Sequence, residues 1–148
     1  MKILVPTDGS PHSQEAIDEV ARRPWPADTT IRVISAVQPI PPAATDFVFS
    51  NAASFDQLYQ EQTKTAEQLT RQVADSFGAV NLSADSVVRM GDPRSVIVDE
   101  AKEWGADLIV MGSHGRTGLK RWLLGSVAES VVAHSPCSVE VVRSRHRD

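Results

Sequence analysis

Gly112, Gly115, Gly125 and Ser126 punctuate the stretch MGSHGRTGLKRWLLGSVAES, which runs from Met111 to Ser130, and Arg116, Lys120 and Arg121 stand between them. Residues of these types at this spacing can hold an anion. A glycine carries no Cβ, so its backbone can come close to another group. Main-chain N–H groups exposed in such a loop form a concavity that attracts negative charge. If Gly125-Ser126 opens a helix, the unpaired amides of the first turn and the helix dipole add to that attraction. The Ser126 hydroxyl adds a donor, and the three basic side chains add full charges. Together these features describe a phosphate cradle. The same residues also fit a plainer use, in which glycines after a strand only make a turn and Ser126 only caps a helix; composition does not choose between the two. Neither common phosphate-binding fingerprint is present. No glycine is followed by Lys and Ser/Thr at the Walker offset, and the turn after the first apolar run reads PTDGS, not G-x-G-x-x-G.

The elements that must position these residues alternate along the chain. Ile3-Leu4-Val5, ending at Pro6, reads as a buried strand. SPHSQEAIDEVARR then reads as a helix, with Ser10 as cap, Pro11 in the first turn, and Ala16, Ile17, Val20 and Ala21 on one face. TTIRVISAV is a second strand, rich in β-branched residues, and the prolines of QPIPPAATDFVFSN mark a loop. A long helix is expected over 55–77, with an inward stripe of Ala66, Leu69, Val73 and Phe77 and a stop at Gly78. SADSVVRM is the third strand. GDPRSVIVDEAKEWG is a helix capped by Asp92, with Pro93 at its first position and Ile97, Ala101 and Trp104 on one face. DLIVMG, GSVAESVVAHS and SVEVVR complete the series as strand, helix and strand. This alternation predicts an α/β fold, a parallel sheet with helices on both faces in Rossmann-like or flavodoxin-like topology; the expectation adopted is a Rossmann-like three-layer sandwich with a five-stranded parallel sheet in the order 3-2-1-4-5, built as a single domain over residues 1–148. Such sheets bind ligands at the carboxyl ends of their strands, near the switch in strand order. The turn Pro6–Ser10 and the loop from Met111-Gly112 are therefore expected to meet over one crevice.

Composition narrows the classes of partner. The 148 residues carry a formal charge of −4 with no broad basic excess, which argues against nucleic acid as the main partner. Cys137 is the only cysteine, so no internal disulfide and no cysteine-based metal spacing is possible, and a reducing cytoplasm is the expected home. MKILVPTDGS is too short in apolar residues for a signal-peptide core, and no apolar run approaches the roughly 20 residues of a membrane span. No carboxylate cluster marks a protein-held metal site. His114 reads as a loop residue without a catalytic duty, since no partner carboxylate or nucleophile is placed beside it. His12 and His134 read as helix-surface positions, Trp25 as a loop anchor between two prolines, and RSRHRD as a solvated tail.

The chain resembles a universal stress protein over essentially its whole length, from ILVPTDGS to the closing strand. The ATP-binding subgroup of that family carries G-x2-G-x9-G-[S/T], matched here by Gly112, Gly115, Gly125 and Ser126 with both intervals intact. The resemblance implies a cytoplasmic regulator of stress response that binds ATP, or ADP or AMP, and signals through nucleotide occupancy, with the segment 39–54 or the dimer surface transmitting that state. It implies that Gly112, Gly115, Gly125, Ser126 and the Val127 backbone hold ribose and phosphates, with Mg²⁺ or Mn²⁺ bound through the phosphates. Asp8 would accept hydrogen bonds from the nucleoside, or cap the first turn together with Ser10, and one carboxylate can do both. Pro6 and Thr7 would line the pocket, Val37 would offer its backbone to adenine, and Met111 would pack near the base or sugar. It further implies a homodimer formed by pairing the last strand, Ser138 to Arg143, across a two-fold axis. Two alternatives stay open. One is a slow ATPase or phosphotransferase, in which Arg116, Lys120 or Arg121 stabilises the transferring phosphate and His114 or Asp8 orients water. It ranks below binding, because the sequence offers no clear general base and no P-loop lysine. The other is a nucleotide-free interaction module that keeps the motif only as architecture.

Overall fold

The computed structural model describes residues 1–39, 52–115 and 123–143, the side chains of 52–54 excepted. The Pro-rich loop from Ile40, the basic residues Arg116, Lys120 and Arg121, and the closing tail from Ser144 lie outside the described residues. Strands β1 (Lys2–Pro6), β2 (Thr30–Val37), β3 (Ser83–Met90), β4 (Leu108–Gly112) and β5 (Ser138–Val142) alternate with helices α1 (Pro11–Arg22), α2 (Ala52–Gly78), α3 (Pro93–Trp104) and α4 (Ser126–His134). The strands pair in parallel in the order β3-β2-β1-β4-β5, the Rossmann-like of the two expected topologies. β1 lies in the middle. Its Ile3, Leu4 and Val5 are wholly buried, which is the burial expected of a parallel strand covered on both faces.

Alternation along the strands builds two cores. Ile3 and Val5 of β1, Ile31 and Val33 of β2 and Val110 of β4 meet Ala16, Ile17 and Val20 of α1 and Val73, Ala74 and Phe77 of α2. Leu4, Ile34, Ile109 and Met111 point to the other face, where they meet Val96, Ile97 and Ala101 of α3 and Ala128 and Val131 of α4. Each large side chain so buried contributes about 1.5–3 kcal/mol relative to exposure. Phe77, at the end of the α2 stripe, is the largest side chain with no exposed surface.

Local chemistry sets the helix ends. The Ser10 side chain accepts from the Ser13 amide ahead of Pro11, and the Asp92 side chain accepts from the Arg94 amide ahead of Pro93. Gly105 ends α3 at φ 70°. α2 begins at Ala52, earlier than the expected 55, and two alanines extend a helix at little cost. Gly78 is its last residue, and the left-handed turn that follows is made at Asn81, φ 62°.

Polar contacts tie the layers. The Arg23 guanidinium donates to both Glu140 carboxylate oxygens at 2.7 and 2.5 Å, joining the end of α1 to β5. Glu100 of α3, 3 % exposed, accepts from Arg32 of β2 at 3.0 Å and from Arg89 of β3 at 3.1 Å. Arg32 also grips Asp85 and lies 4.7 Å over the Trp104 ring. Trp25 donates its Nε1–H to the Val20 carbonyl at 2.8 Å and packs on the first core, so it anchors its loop as expected. Among the described residues no helix is long and apolar enough to cross a membrane.

Candidate functional site

The turn after β1 is a knot of short hydrogen bonds. The Thr7 amide donates to the Ile34 carbonyl at 2.9 Å, which fastens the turn to β2. The Thr7 and Ser13 hydroxyls lie 3.2 Å apart, and the Ser13 hydroxyl donates to the Ser10 carbonyl at 2.9 Å. Asp8 Oδ1 accepts from the Ser10 amide at 2.9 Å, an Asx turn that Gly9 permits at φ 76°. Thr7, Ser10 and Ser13 are buried, whereas Asp8 is half-buried. So many buried polar groups satisfied over so few residues leave the turn little freedom.

β4 delivers the glycine loop to the same rim, because β4 pairs directly with β1. The three glycines turn out to face protein. A Cβ on Gly112 would lie 2.4 Å from the His12 carbonyl oxygen, so the end of β4 rests on the first turn of α1. A Cβ on Gly115 would lie 2.9 Å from Asp8 Oδ2, and one on Gly125 would lie 3.2 Å from His114 Cα and the Ser113 carbonyl oxygen. Their close approaches draw the two loops together. Ser113, 3 % exposed, is the junction: its amide donates to the Val142 carbonyl of β5 at 3.0 Å, and its carbonyl accepts from the Gly125 amide at 2.8 Å. Gly125 is the N-cap of α4 (φ −63°, ψ 156°) and no side chain makes a cap hydrogen bond there. Ser126 is therefore the first helical residue, not the cap, and it is exposed. An uncapped helix start at a glycine, on the rim where two strand-end loops meet, has the form of an anion site.

The family and the fold follow from comparison with known proteins. Residues 1–143 match the universal stress protein family. This chain belongs to that family. It is 33% identical over 151 residues to Universal stress protein MJ0531 of Methanocaldococcus jannaschii, covering 99% of this chain and 84% of the relative. The solved structure of the hypothetical protein MJ0577 superposes with a TM-score of 0.84 at 28% identity, over 98% of this chain and 96% of that one. A universal stress protein solved in complex with cAMP shares the fold at a TM-score of 0.65 and 24% identity, over 97% of this chain and 96% of that one.

Within this universal stress protein fold, Pro6 and Gly112 end β1 and β4 at the rim, Thr7, Asp8, Gly115 and Gly125 stand on the two loops that follow them, and Ser126 and Val127 open α4. Val37 ends β2 at the same edge of the sheet, and its carbonyl accepts from the Gly91 amide at 3.0 Å. The Met111 side chain, 5 % exposed, lies in the core against the α3 and α4 face. His12 departs from its expected place on a helix surface. Its ring is half-buried, its Nδ1 is buried without a hydrogen-bond partner, and its centroid stands 5.3 Å from that of His114. Its position in the first turn of the helix after β1 is the one signal that could have placed it here, since that turn must sit at the carboxyl edge. His134 matches its reading: it is exposed at the end of α4, with Nδ1 2.8 Å from the Ser130 carbonyl. Among the described residues no group of three or more His, Cys, Asp and Glu could hold a metal ion.

Proposed function

We propose that this universal stress protein binds an adenine nucleotide, ATP foremost, between the β1–α1 turn and the β4–α4 loop, and that it acts by occupancy rather than turnover. One observation carries the reading: α4 starts at Gly125 with no capping side chain, on a rim where Gly112 and Gly115 bring the two loops into contact. The amides of Ser126 and Val127 would hold the phosphates. Asp8, already fixed by Ser10, would meet the ribose, with Pro6 and Thr7 beneath it. Val37 would present its backbone to the base, and Met111 would support the floor from within the core. Mg²⁺ or Mn²⁺ would be carried in on the phosphates, where a hard cation neutralises oxygen charge. The intact G-x2-G-x9-G-S spacing and the cAMP complex formed by a protein of the same fold both support an adenine nucleotide over other anions.

Calorimetric titration with ATP, ADP and AMP tests this. One saturable site per chain is expected, tightest for ATP, and Gly115→Val should weaken it by about tenfold or more by forcing Asp8 aside. Protein that binds none of the three, and that releases no nucleotide when denatured after purification, would overturn the reading. We extend it to assembly: among the described residues β5 pairs with one strand only, β4, and Ser138 to Arg143 would pair with the same strand of a second copy across a two-fold axis. Sedimentation at micromolar concentration should then give a dimer, and a monomer would refute the extension.

A further inference from the structure

His12 holds a polar atom that the fold leaves unpaired. Its Nδ1 is buried and makes no hydrogen bond, and native proteins keep few such atoms without a use for them. Its neighbour is another imidazole: the His12 and His114 centroids are 5.3 Å apart, with the planes inclined at 49°. His114 is oriented in its turn, since its Nδ1 and the Ser113 hydroxyl share a hydrogen bond of 3.0 Å. Backbone contacts place the two residues that carry these rings. The His12 carbonyl rests on Gly112, and His114 lies against Gly125, the cap of α4. The pair therefore spans the gap between the first turn of α1 and the start of α4. The other titratable groups that the packed elements bring to this rim are Asp8 of the β1 turn, whose Oδ2 lies against Gly115, Glu15 one turn along α1, Glu129 in the first turn of α4, and Arg143 after β5. Arg116, Lys120 and Arg121 follow His114 along the chain, outside the described residues.

We propose that His12 and His114 are phosphate-sensing residues: the pair takes up a proton from solvent when a nucleotide's polyphosphate arrives, and the imidazolium so formed binds the phosphate oxygens. The inference rests on the nucleotide reading above and adds the group that tells a polyphosphate from a bare nucleoside. Imidazole is the side chain whose charge changes near neutral pH, and a phosphate anion brought beside it favours the charged form. The expected uptake on ATP binding is about one proton per site. The buried, unpaired Nδ1 of His12 is where a proton shared with the neighbouring His114 ring would find a use.

Calorimetry on the full chain tests this with ATP and with adenosine, using wild type, His12→Gln and His114→Gln. Wild type is titrated at neutral pH in two buffers of different ionisation enthalpy, and all three proteins at about pH 6 and about pH 8. Protonation of ATP itself is common to all three proteins and cancels in the ratio of Kd values. For ATP, the variant to wild-type ratio should be about tenfold at the acid pH and fall toward about twofold at the alkaline one. For adenosine the ratio should not depend on pH. A ratio for ATP that is the same at both pH values, or an equal pH dependence for adenosine, overturns the inference and leaves nucleotide binding standing. Wild type that binds neither ligand at either pH overturns the nucleotide reading and this inference with it. Circular dichroism and thermal melting confirm that the variants fold. If they do not, the histidine ring resonances of wild type decide: ATP must move the titration of the pair to higher pH, and an unmoved titration overturns the proposal.

Discussion

A methyl group added at residue 112 would sit 2.4 Å from the His12 carbonyl oxygen and 2.6 Å from its carbon. Both atoms are backbone within α1 and cannot swing aside, so Gly112→Ala is expected to cost about 1–3 kcal/mol in urea unfolding. At residue 115 the obstacle is the Asp8 Oδ2, the tip of a side chain that can rotate. Gly115→Val should accordingly lose less than about 1 kcal/mol of stability while losing nucleotide affinity. At Gly78 a Cβ would meet nothing within 4 Å, and φ is not in the left-handed region. Gly78→Ala is expected to stabilise by about 0.5–1 kcal/mol through the helix and the unfolded chain. A gain at 112 or a loss at 78 in the same unfolding series would refute this ordering. The spacing of Gly112, Gly115 and Gly125 was legible in the sequence, and so was the need for close approach. What each approaches was not, because His12 and Asp8 reach the glycine loop only through the pairing of β1 with β4. His12 was misplaced for the same reason. A polar residue at a helix start reads as exposed until the neighbouring strand is known.

Among the elements, α3 shows how much a helix start can be read from local chemistry. Asp92 and Pro93 predict its first turn, and Asp92 Oδ1 does accept from the Arg94 amide at 2.9 Å, while the Arg94 guanidinium spans both carboxylate oxygens. The Arg94 side chain first, and its amide second, hold the Asp92 carboxyl down at about 2, from 3.8. A carboxyl depressed in the folded state contributes stability above its unfolded value and loses it as pH falls through the folded one. Asp92→Asn is therefore expected to flatten the melting temperature profile between 3.8 and about 2. Because the pair is exposed, the difference from wild type should shrink in high salt. Acid limbs that superimpose at low salt would show that the cap contributes nothing through charge. Ser10-Pro11 was equally readable. Gly125 was not, because a glycine cap carries no side-chain signature and Ser126 next to it is the better capping residue by type. The start of α2 was read too late because its first residues, Ala-Ala-Ser, carry neither an apolar stripe nor a cap.

For the whole molecule, the parallel sheet with helices on both faces was legible because strand and helix runs alternate without a break, and right-handed crossovers leave few ways to lay such a chain down, but alternation alone left Rossmann-like and flavodoxin-like strand orders both open. The charged centre around Glu100 was not. A glutamate in the middle of an amphipathic helix reads as solvated, yet this one is 3 % exposed between Arg32 and Arg89. Glu100→Ala removes the buried carboxylate that Arg32 and Arg89 share, and because both guanidinium groups keep access to water it is expected to cost about 1–2 kcal/mol. The double variant Glu100→Leu with Arg32→Met should recover much of that loss, since apolar residues of similar volume often replace a buried ion pair without penalty. A double variant no more stable than Glu100→Ala in urea unfolding would show that Asp85 and Trp104, not Glu100, hold Arg32. The central place of β1 has a consequence for how the chain is made. β1 leaves the ribosome before the other strands, but one of its two flanks is completed only by Leu108–Gly112, more than a hundred residues later. Until then a run of Ile, Leu and Val presents a bare flank, and closing it waits on a contact between distant parts of the sequence, the slow kind to form. A ribosome stalled before residue 108 would thus hold a sticky half-sheet, and nascent-chain chaperones would find their strongest hold on this protein there.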